Sequence, residues 1–415
     1  MKISVFGTTL QAGVLAGLMA EFGHQVSWCL NSLKTLKYQD EKVNQLIDKQ
    51  VQLGFLNIVD IGELNLDQDI YLFSFTPTEI DIALNIAKKI SLSAIIHPKL
   101  MINGSTFGLH GTQQLKSILS HDYWAYLPDV IQEGNAIQSF TQLKQVIVGV
   151  EQEETQNLMS ELLRPIFQFK QQFLFMPILD AEFTKLSISG MLATRISYMN
   201  DLASVSEKLG IDISNVRQGL AADTRIGVTY LSPGAGFGGE NFSHDILTLS
   251  NTVADMGAHS HLLEQVWAIN EQQKEVLFRK LWNYYHSHLK GKTIAIWGAS
   301  FKENTSSIQN APIHVMLQAL WAQGITVQLH DPQALKEIKN MYGVRADLIL
   351  CEDQYQAVEN ADALCLMTAW AQYWSPDYAQ LKQKMKHPLI LDGRNIYDPK
   401  YVKSQGFAYQ GVGRS

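Results

Sequence analysis

The feature that most constrains this chain is its opening. "KISVFG" is a short β-branched run ending in glycine, "TTLQAGVLAGLMAEFG" is an apolar segment of helix length, and "HQVSWCL" is a second β run. That order predicts a strand, a tight turn, a helix and a parallel strand. Similar runs recur at "DIYLFSF", "SAIIHPKLMING", "YWAYLP" and "QVIVGV", separated by helix-length stretches. The alternation predicts a parallel sheet with helices on both faces. From about residue 180 to 280 the pattern changes. "DAEFTKLSISGMLATRISYMNDLASVSEKLG" keeps helical apolar spacing over some thirty residues without Pro, too long for an ordinary βα unit. "GKTIAIWGASF" then restarts the strand-turn-helix pattern, followed by "ITVQLHDP", "ADALCLMTAW" and "PLILDGRNIYD". The expected fold class is α/β, with two doubly wound domains (1–180 and 286–415) joined by a central helical domain (181–285).

Composition narrows the function classes. The 415 residues exceed what one core organises, and 46% apolar with 18% charged residues is ordinary for a globular protein. Net charge is −7 with scattered Lys and Arg, so no basic stripe suggests nucleic acid. Cys29, Cys351 and Cys365 are far apart and lack metal-ligand spacing, which suits a reducing cytoplasm and predicts no metal site. The opening apolar stretch imitates a signal peptide, but Gln11 interrupts it and strand-turn-helix reads better. No apolar run reaches the roughly 18 residues that would span a membrane, so no membrane partner is expected.

The first turn resembles a dinucleotide fingerprint that has been altered. A Rossmann-type G-x-G-x-x-G places its first glycine in the turn, its second beneath the pyrophosphate and its third between helix and strand. Here Gly7 is present and Ala12 is a tolerated third position, but the middle glycine is Thr9. The second strand should end in an acid for the ribose hydroxyls, yet it ends in Leu30. Losing that acceptor costs on the order of 1–3 kcal/mol. Thr9 and Leu30 together predict a dinucleotide affinity well below that of an intact site. Asn31, Ser32 and Lys34 offer an alternative, a contact to a 2′-phosphate. Read alone, the altered fingerprint favours a unit that is scaffold only.

A second stretch, "PGAGFGGENFSHD", has the look of a catalytic loop, with close glycines and a closing Asp245. In context it completes a resemblance to the UDP-glucose/GDP-mannose dehydrogenase family running nearly the whole chain. "KISVFGTT…AEFGHQVSWC" resembles the family opening, and "GSTFGLHGT" the strand-loop after its cofactor sheet. "YLPDVIQEGNAI" is similar to the "NPEFLREGSAI" type of segment, and the long helical stretch to the family's central dimerisation helix. "GASFKENTSSIQNAP", "DADALCLMTAW" and "LDGRNIYD" resemble its nucleotide-binding C-terminal domain. The resemblance implies a cytoplasmic homodimer that takes a nucleotide sugar, UDP-linked rather than GDP-linked. It also implies NAD as oxidant, held in part by Thr76 and Pro77 after the third "DIYLFSF" strand.

Carried over position by position, the resemblance is uneven. The family's nucleophilic Cys in "GGSCFPKD" forms a thiohemiacetal with the C6 aldehyde, splitting one hard step into two. Asn241 stands at that position, and an amide has no nucleophilic lone pair. The loop's Asp is retained as Asp245, and the Lys before it has become His244. The oxyanion-stabilising Lys of "ELIKYAANAFLA" is matched by Lys185, while the Asn one helical turn on has become Ser189. The "NPEF" acid corresponds to Asp129, one methylene short, and Glu133 matches the second acid. A displacement of about 1 Å in such a group can cost on the order of 10²-fold. Substrate contacts are better kept: Arg225, Gly236, Gly238, Gly239, Phe301, Lys302 and Arg394 match family positions. Ser306, Ser307 and Gln309, however, replace two acids and an Arg.

Each residue also has a plainer reading. Lys185 suits a solvated helix face, the glycines a tight loop, Asp245 an N-cap for "DILTLSNTVADMG", and Arg394 a structural ion pair. Together the substitutions imply a family member that binds a nucleotide sugar or related ligand without completing its oxidation, a pseudoenzyme. Two alternatives stay open. One is an active NAD(P)-dependent oxidoreductase with altered chemistry in polysaccharide precursor synthesis. The other is a structural or regulatory partner of an active paralogue.

Overall fold

The computed structural model describes residues 1–30, 37–61, 67–92, 98–258 and 261–414. The chain divides into two compact units, Met1–Ile188 and Ser189–Ser415. Each is built on its own sheet.

The first unit carries eight strands: β1 (Lys2–Phe6), β2 (Gln25–Leu30), β3 (Leu56–Asp60), β4 (Ile70–Phe73), β5 (Leu100–Asn103), β6 (Trp124–Tyr126), β7 (Val146–Val150) and β8 (Phe173–Met176). Their order is β3-β2-β1-β4-β5-β6-β7-β8. Pairing is parallel throughout except between β6 and β7, which run antiparallel, a departure from the wholly parallel expectation. The first helix, Leu10–Glu21, is apolar all round, and Gln11 to Ala20 are all buried. A helix of that kind must be covered on every side. The sheet supplies one face, and the partly or wholly buried Val43, Leu46, Ile47, Ala136 and Phe140 belong to the same core.

The second unit holds β9 (Thr293–Trp297), β10 (Thr326–His330), β11 (Leu348–Leu350), β12 (Ala363–Leu366), β13 (Leu389–Asp392) and β14 (Ala408–Gly411), ordered β11-β10-β9-β12-β13-β14 and all parallel. A helical region precedes this sheet: Ile213–Ala222, Glu240–Asp255, Leu262–Gln273 and Val276–Tyr284. The long helix predicted from the sequence is present as Ile178–Leu209, 32 residues.

In both sheets the chain crosses sides after its third strand, leaving a switch point between β1 and β4 and between β9 and β12. Ligands of doubly wound folds sit at the carboxyl ends of strands at such a point. A positive-φ glycine follows the central strand in each: Gly7 (φ 106°) and Gly298 (φ 95°). A Cβ on Gly7 would fall on the Ser74 carbonyl oxygen, and one on Gly298 would lie 2.5 Å from the Thr368 backbone nitrogen. Gly298→Ala therefore combines backbone strain with a collision that no rotamer relieves. We expect it to destabilise the second unit by about 3 kcal/mol or more, read as a lowered midpoint in urea unfolding.

Candidate functional site

In the second unit the loop Pro233–Gly239 is buried along its whole length. It is fixed by side chains from three directions. Asn200 Oδ1 accepts from Gly234 N at 2.8 Å, and Gln273 Nε2 donates to Gly234 O at 2.8 Å. Asn270 clamps Phe237 twice, accepting from its N–H at 2.7 Å and donating to its carbonyl at 3.2 Å. Gly393, in the turn after β13, accepts from Ala235 N at 3.0 Å, and Gln309 O accepts from Gly239 N at 2.8 Å. The amides of Gly234, Ala235, Phe237 and Gly239 are thus bonded within the protein. Close approach explains the glycines. A Cβ at Gly238 would lie 2.6 Å from Asn310 O, and one at Gly234 would lie 2.9 Å from Gly393 O. Gly236 (φ 91°) and Gly239 (φ 95°) also need backbone conformations that L-residues avoid.

The helix Glu240–Asp255 starts directly after Gly239. Asp245 is therefore inside the helix and not its N-cap, which overturns the capping reading. It is fully buried and accepts a 2.7 Å hydrogen bond from Ser189 Oγ. Asn241 lies one turn before Asp245 on the same face. His244, between them, is half-buried, and burial lowers its pKa, so it stays neutral near pH 7. Ser243 is buried and its Oγ accepts from Asn310 Nδ2 at 2.7 Å. Lys274, only 2% exposed, donates to Asn310 Oδ1 at 3.0 Å and pairs with Glu271 at 2.8 Å. These contacts tie the helix start to the segment that follows Phe301.

Phe301 and Arg394 close the other side. The Phe301 ring lies 3.2 Å from where a Gly239 Cβ would be, and Arg394 Nη2 donates to Phe301 O at 3.3 Å. Burial pushes the Arg394 guanidinium down, countered by Glu303 and Asp392. Asp392 accepts the Arg394 backbone N–H at 2.9 Å, so the turn and the cation are positioned together. The Lys302 ammonium stands 5.7 Å from the centre of the Phe301 ring. Arg225 lies apart, exposed and doubly bonded to Asp223 at 3.0 and 2.6 Å.

In the first unit Lys185 is half-buried on the long helix, and Asp129 turns its Oδ1 back to the Ile131 N–H at 3.0 Å. Thr76 and Pro77 start a short helix after β4, where Thr76 Oγ1 donates to Glu79 at 2.9 Å. At the first turn Thr9 caps the helix: its Oγ1 accepts from Ala12 N at 3.0 Å and hydrogen-bonds to the Ser74 hydroxyl. The expected projection of Thr9 toward a pyrophosphate is not what the structure has. Ser74 Oγ donates to Gln11 Oε1 at 2.8 Å, and Gln11 Nε2 donates to Leu127 O at 3.2 Å, so the β1/β4 crevice is filled by the protein's own polar groups. Leu30 is buried and apolar, and Tyr38 lies over the first turn of the helix. Asn31, Ser32 and Lys34 lie outside the described residues. These residues do not fit the adenosine-pyrophosphate half of a dinucleotide as the fingerprint holds it.

Sequence reasoning missed Asn270, Lys274, Asn310 and Tyr38. Only Tyr38 left a trace, in Gly13, whose missing side chain makes sense once a ring covers it. No thiol replaces the nucleophile: burial pushes Cys29 and Cys365 up to about 12 and also raises Cys351, keeping all three protonated.

Two profiles of the UDP-glucose/GDP-mannose dehydrogenase family match this chain: the central domain over residues 179–272 and the UDP binding domain over residues 295–399. A UDP-glucose 6-dehydrogenase of Pseudomonas aeruginosa is 37% identical over 290 residues, covering 69% of this chain and 64% of that enzyme. UDP-glucose 6-dehydrogenase TuaD of Bacillus subtilis is 28% identical over 436 residues, covering all of this chain and 93% of the relative. The match thus spans under two thirds of the P. aeruginosa enzyme's length but nearly all of TuaD. A UDP-glucose dehydrogenase structure from Pyrobaculum islandicum superposes with a TM-score of 0.87 at 20% identity, covering 100% of this chain and 98% of that one, which establishes a shared fold. The chain belongs to the UDP-glucose/GDP-mannose dehydrogenase family.

The Asn270 clamp generates a direct test. Asn270→Ala strips two hydrogen bonds from a buried loop and should cost about 1–3 kcal/mol. Hydrogen exchange should accelerate over 234–239 before the rest of the second unit.

Proposed function

We propose that this chain binds a UDP-sugar through its second unit and does not carry the sugar's oxidation to a carboxylate. The observation that carries the reading is Arg394: a half-buried guanidinium beside a rigid glycine loop and the Phe301 ring, within the stretch that matches a UDP binding domain. Its planar fork suits a diphosphate, and Lys302, next to the Phe301 whose carbonyl Arg394 binds, adds a second cation. Asp392 and Gly234 position it, the first by holding its backbone, the second by leaving room for its side chain. The family's covalent route needs a thiolate. Asn241 supplies none, and the three buried thiols are held protonated. Lys185 and Asp245 persist, so a single hydride transfer on another substrate is the second reading. It requires a dinucleotide that the first turn does not suit.

Calorimetric titration with UDP-glucose tests the main reading. Saturable binding is expected, weakened about tenfold or more by Arg394→Ala, a loss of roughly 1.4 kcal/mol or greater. Uronate formation by the purified chain with NAD would contradict it. Asn241→Cys asks whether the remaining machinery is competent.

The same reading takes the chain to be a homodimer through the long helix. Met191, Tyr198 and Val205 recur every seven residues and are 64, 53 and 46% exposed, with Leu209 following at 66%. Exposed apolar residues at heptad spacing are what a second copy of the helix would cover. Tyr198→Glu is expected to halve the mass measured by light scattering after size exclusion. An unchanged mass, or a monomeric parent protein, would count against the dimer and leave the reading as a partner of an active paralogue to co-purification.

A further inference from the structure

We infer that Tyr38, and not the lost fingerprint glycine, is the group that excludes a dinucleotide from the first unit. The inference deepens the reading above but stands on different residues and a different ligand. Tyr38 covers the first turn so closely that a Cβ on Gly13 would lie 2.3 Å from its ring. Its hydroxyl donates to the carbonyls of Thr8 at 3.2 Å and Thr9 at 2.8 Å, the backbone between the turn glycine and the helix. The other side of the ring stacks on Trp28 of β2, with centroids 6.2 Å apart and planes at 11°. Trp28 in turn donates its indole N–H to Gly7 O at 2.9 Å. One aromatic wedge thus joins the end of β1, the turn and β2. That is the ground over which a pyrophosphate and its ribose must pass to reach a helix N-terminus and a β2 acid.

The wedge is built in. Asn44 holds the Tyr38 backbone on both sides, accepting from its N–H at 2.9 Å and donating to its carbonyl at 2.7 Å. Two residues on, Asp40 caps the next helix through Lys42 N at 3.2 Å and accepts from Ala136 N at 2.9 Å. Thr9 is different in kind. Its side chain is folded back as the helix cap, bonded to Ala12 N and to Ser74, so removing it opens little space. A ring clamped in place blocks a ligand more effectively than a hydroxyl already turned inward, because displacing it breaks several hydrogen bonds and a stacked pair together.

The test is calorimetric titration of the full chain and its variants with NAD. The parent protein, Tyr38→Phe and Thr9→Gly should show no saturable heat up to about 1 mM, because all three keep the ring. Tyr38→Ala should bind saturably, at least about tenfold tighter than the limit set by the parent. Binding by the parent or by Thr9→Gly overturns the inference, as does a folded Tyr38→Ala that stays silent. Should Tyr38→Ala fail to fold, Asn44→Ala takes its place by releasing the clamp: binding supports the wedge, silence overturns it. A failure to bind UDP-glucose would sink the proposed function and leave this result untouched.

Discussion

Both sheets depend on one backbone constraint, a glycine at positive φ pressed against the neighbouring strand at the switch point. Gly7 touches the Ser74 carbonyl and Gly298 the Thr368 backbone, each so closely that a Cβ has nowhere to go. The contact fixes how the chain leaves the central strand, and therefore what lies at the carboxyl edge where a ligand would be met.

From the same start the two units diverge. After Gly7 the crevice closes on itself: Thr9, Ser74 and Gln11 bond to one another, and Tyr38 and Trp28 stack over the turn. After Gly298 the chain runs to Phe301, and Gly393 and Arg394 arrive from β13 beside the buried glycine loop. Thr9, Ser74 and Gln11 are bonded to one another at the first turn, so a charged ligand there would have to compete with bonds already made. In the second, a guanidinium is held against the loss of solvation by neighbouring carboxylates, a placement with chemical use for an anion. The substitutions at Asn241 and Ser189 belong with this pattern. Ser189 still serves Asp245, but as a hydrogen-bond donor to a buried carboxylate inside a helix.

What the sequence made legible follows from burial. The central strands were readable as short, largely apolar and β-branched runs, and the long helix because its apolar residues keep helical spacing over some thirty residues without Pro. The four strands that escaped notice, β3, β8, β11 and β14, are the four sheet edges. None of the four is buried at every position: β3 reads one buried, two exposed and two intermediate residues, and β8 and β11 are apolar but only four and three residues long. The candidate site was legible in the sequence only as residue types that suggest chemistry, such as Arg394 and Asn241. It was not where geometry alone sets the role. Asn270 is one polar residue on a helix, and nothing local says that it grips Phe237 from both sides. Asp245 reads as a cap in the sequence because an acid before an apolar run is a helix-start signal, whereas the helix begins at Glu240.

The proposal to test is that the second unit binds a nucleotide sugar while the first excludes a dinucleotide. Saturation-transfer difference NMR on the purified chain with equimolar UDP-glucose and NAD reads both sides in one sample. Saturation is expected at the uracil and ribose protons of UDP-glucose and at none of the adenine or nicotinamide protons. Transfer to adenine in the unmodified protein, or none to uracil, would contradict it.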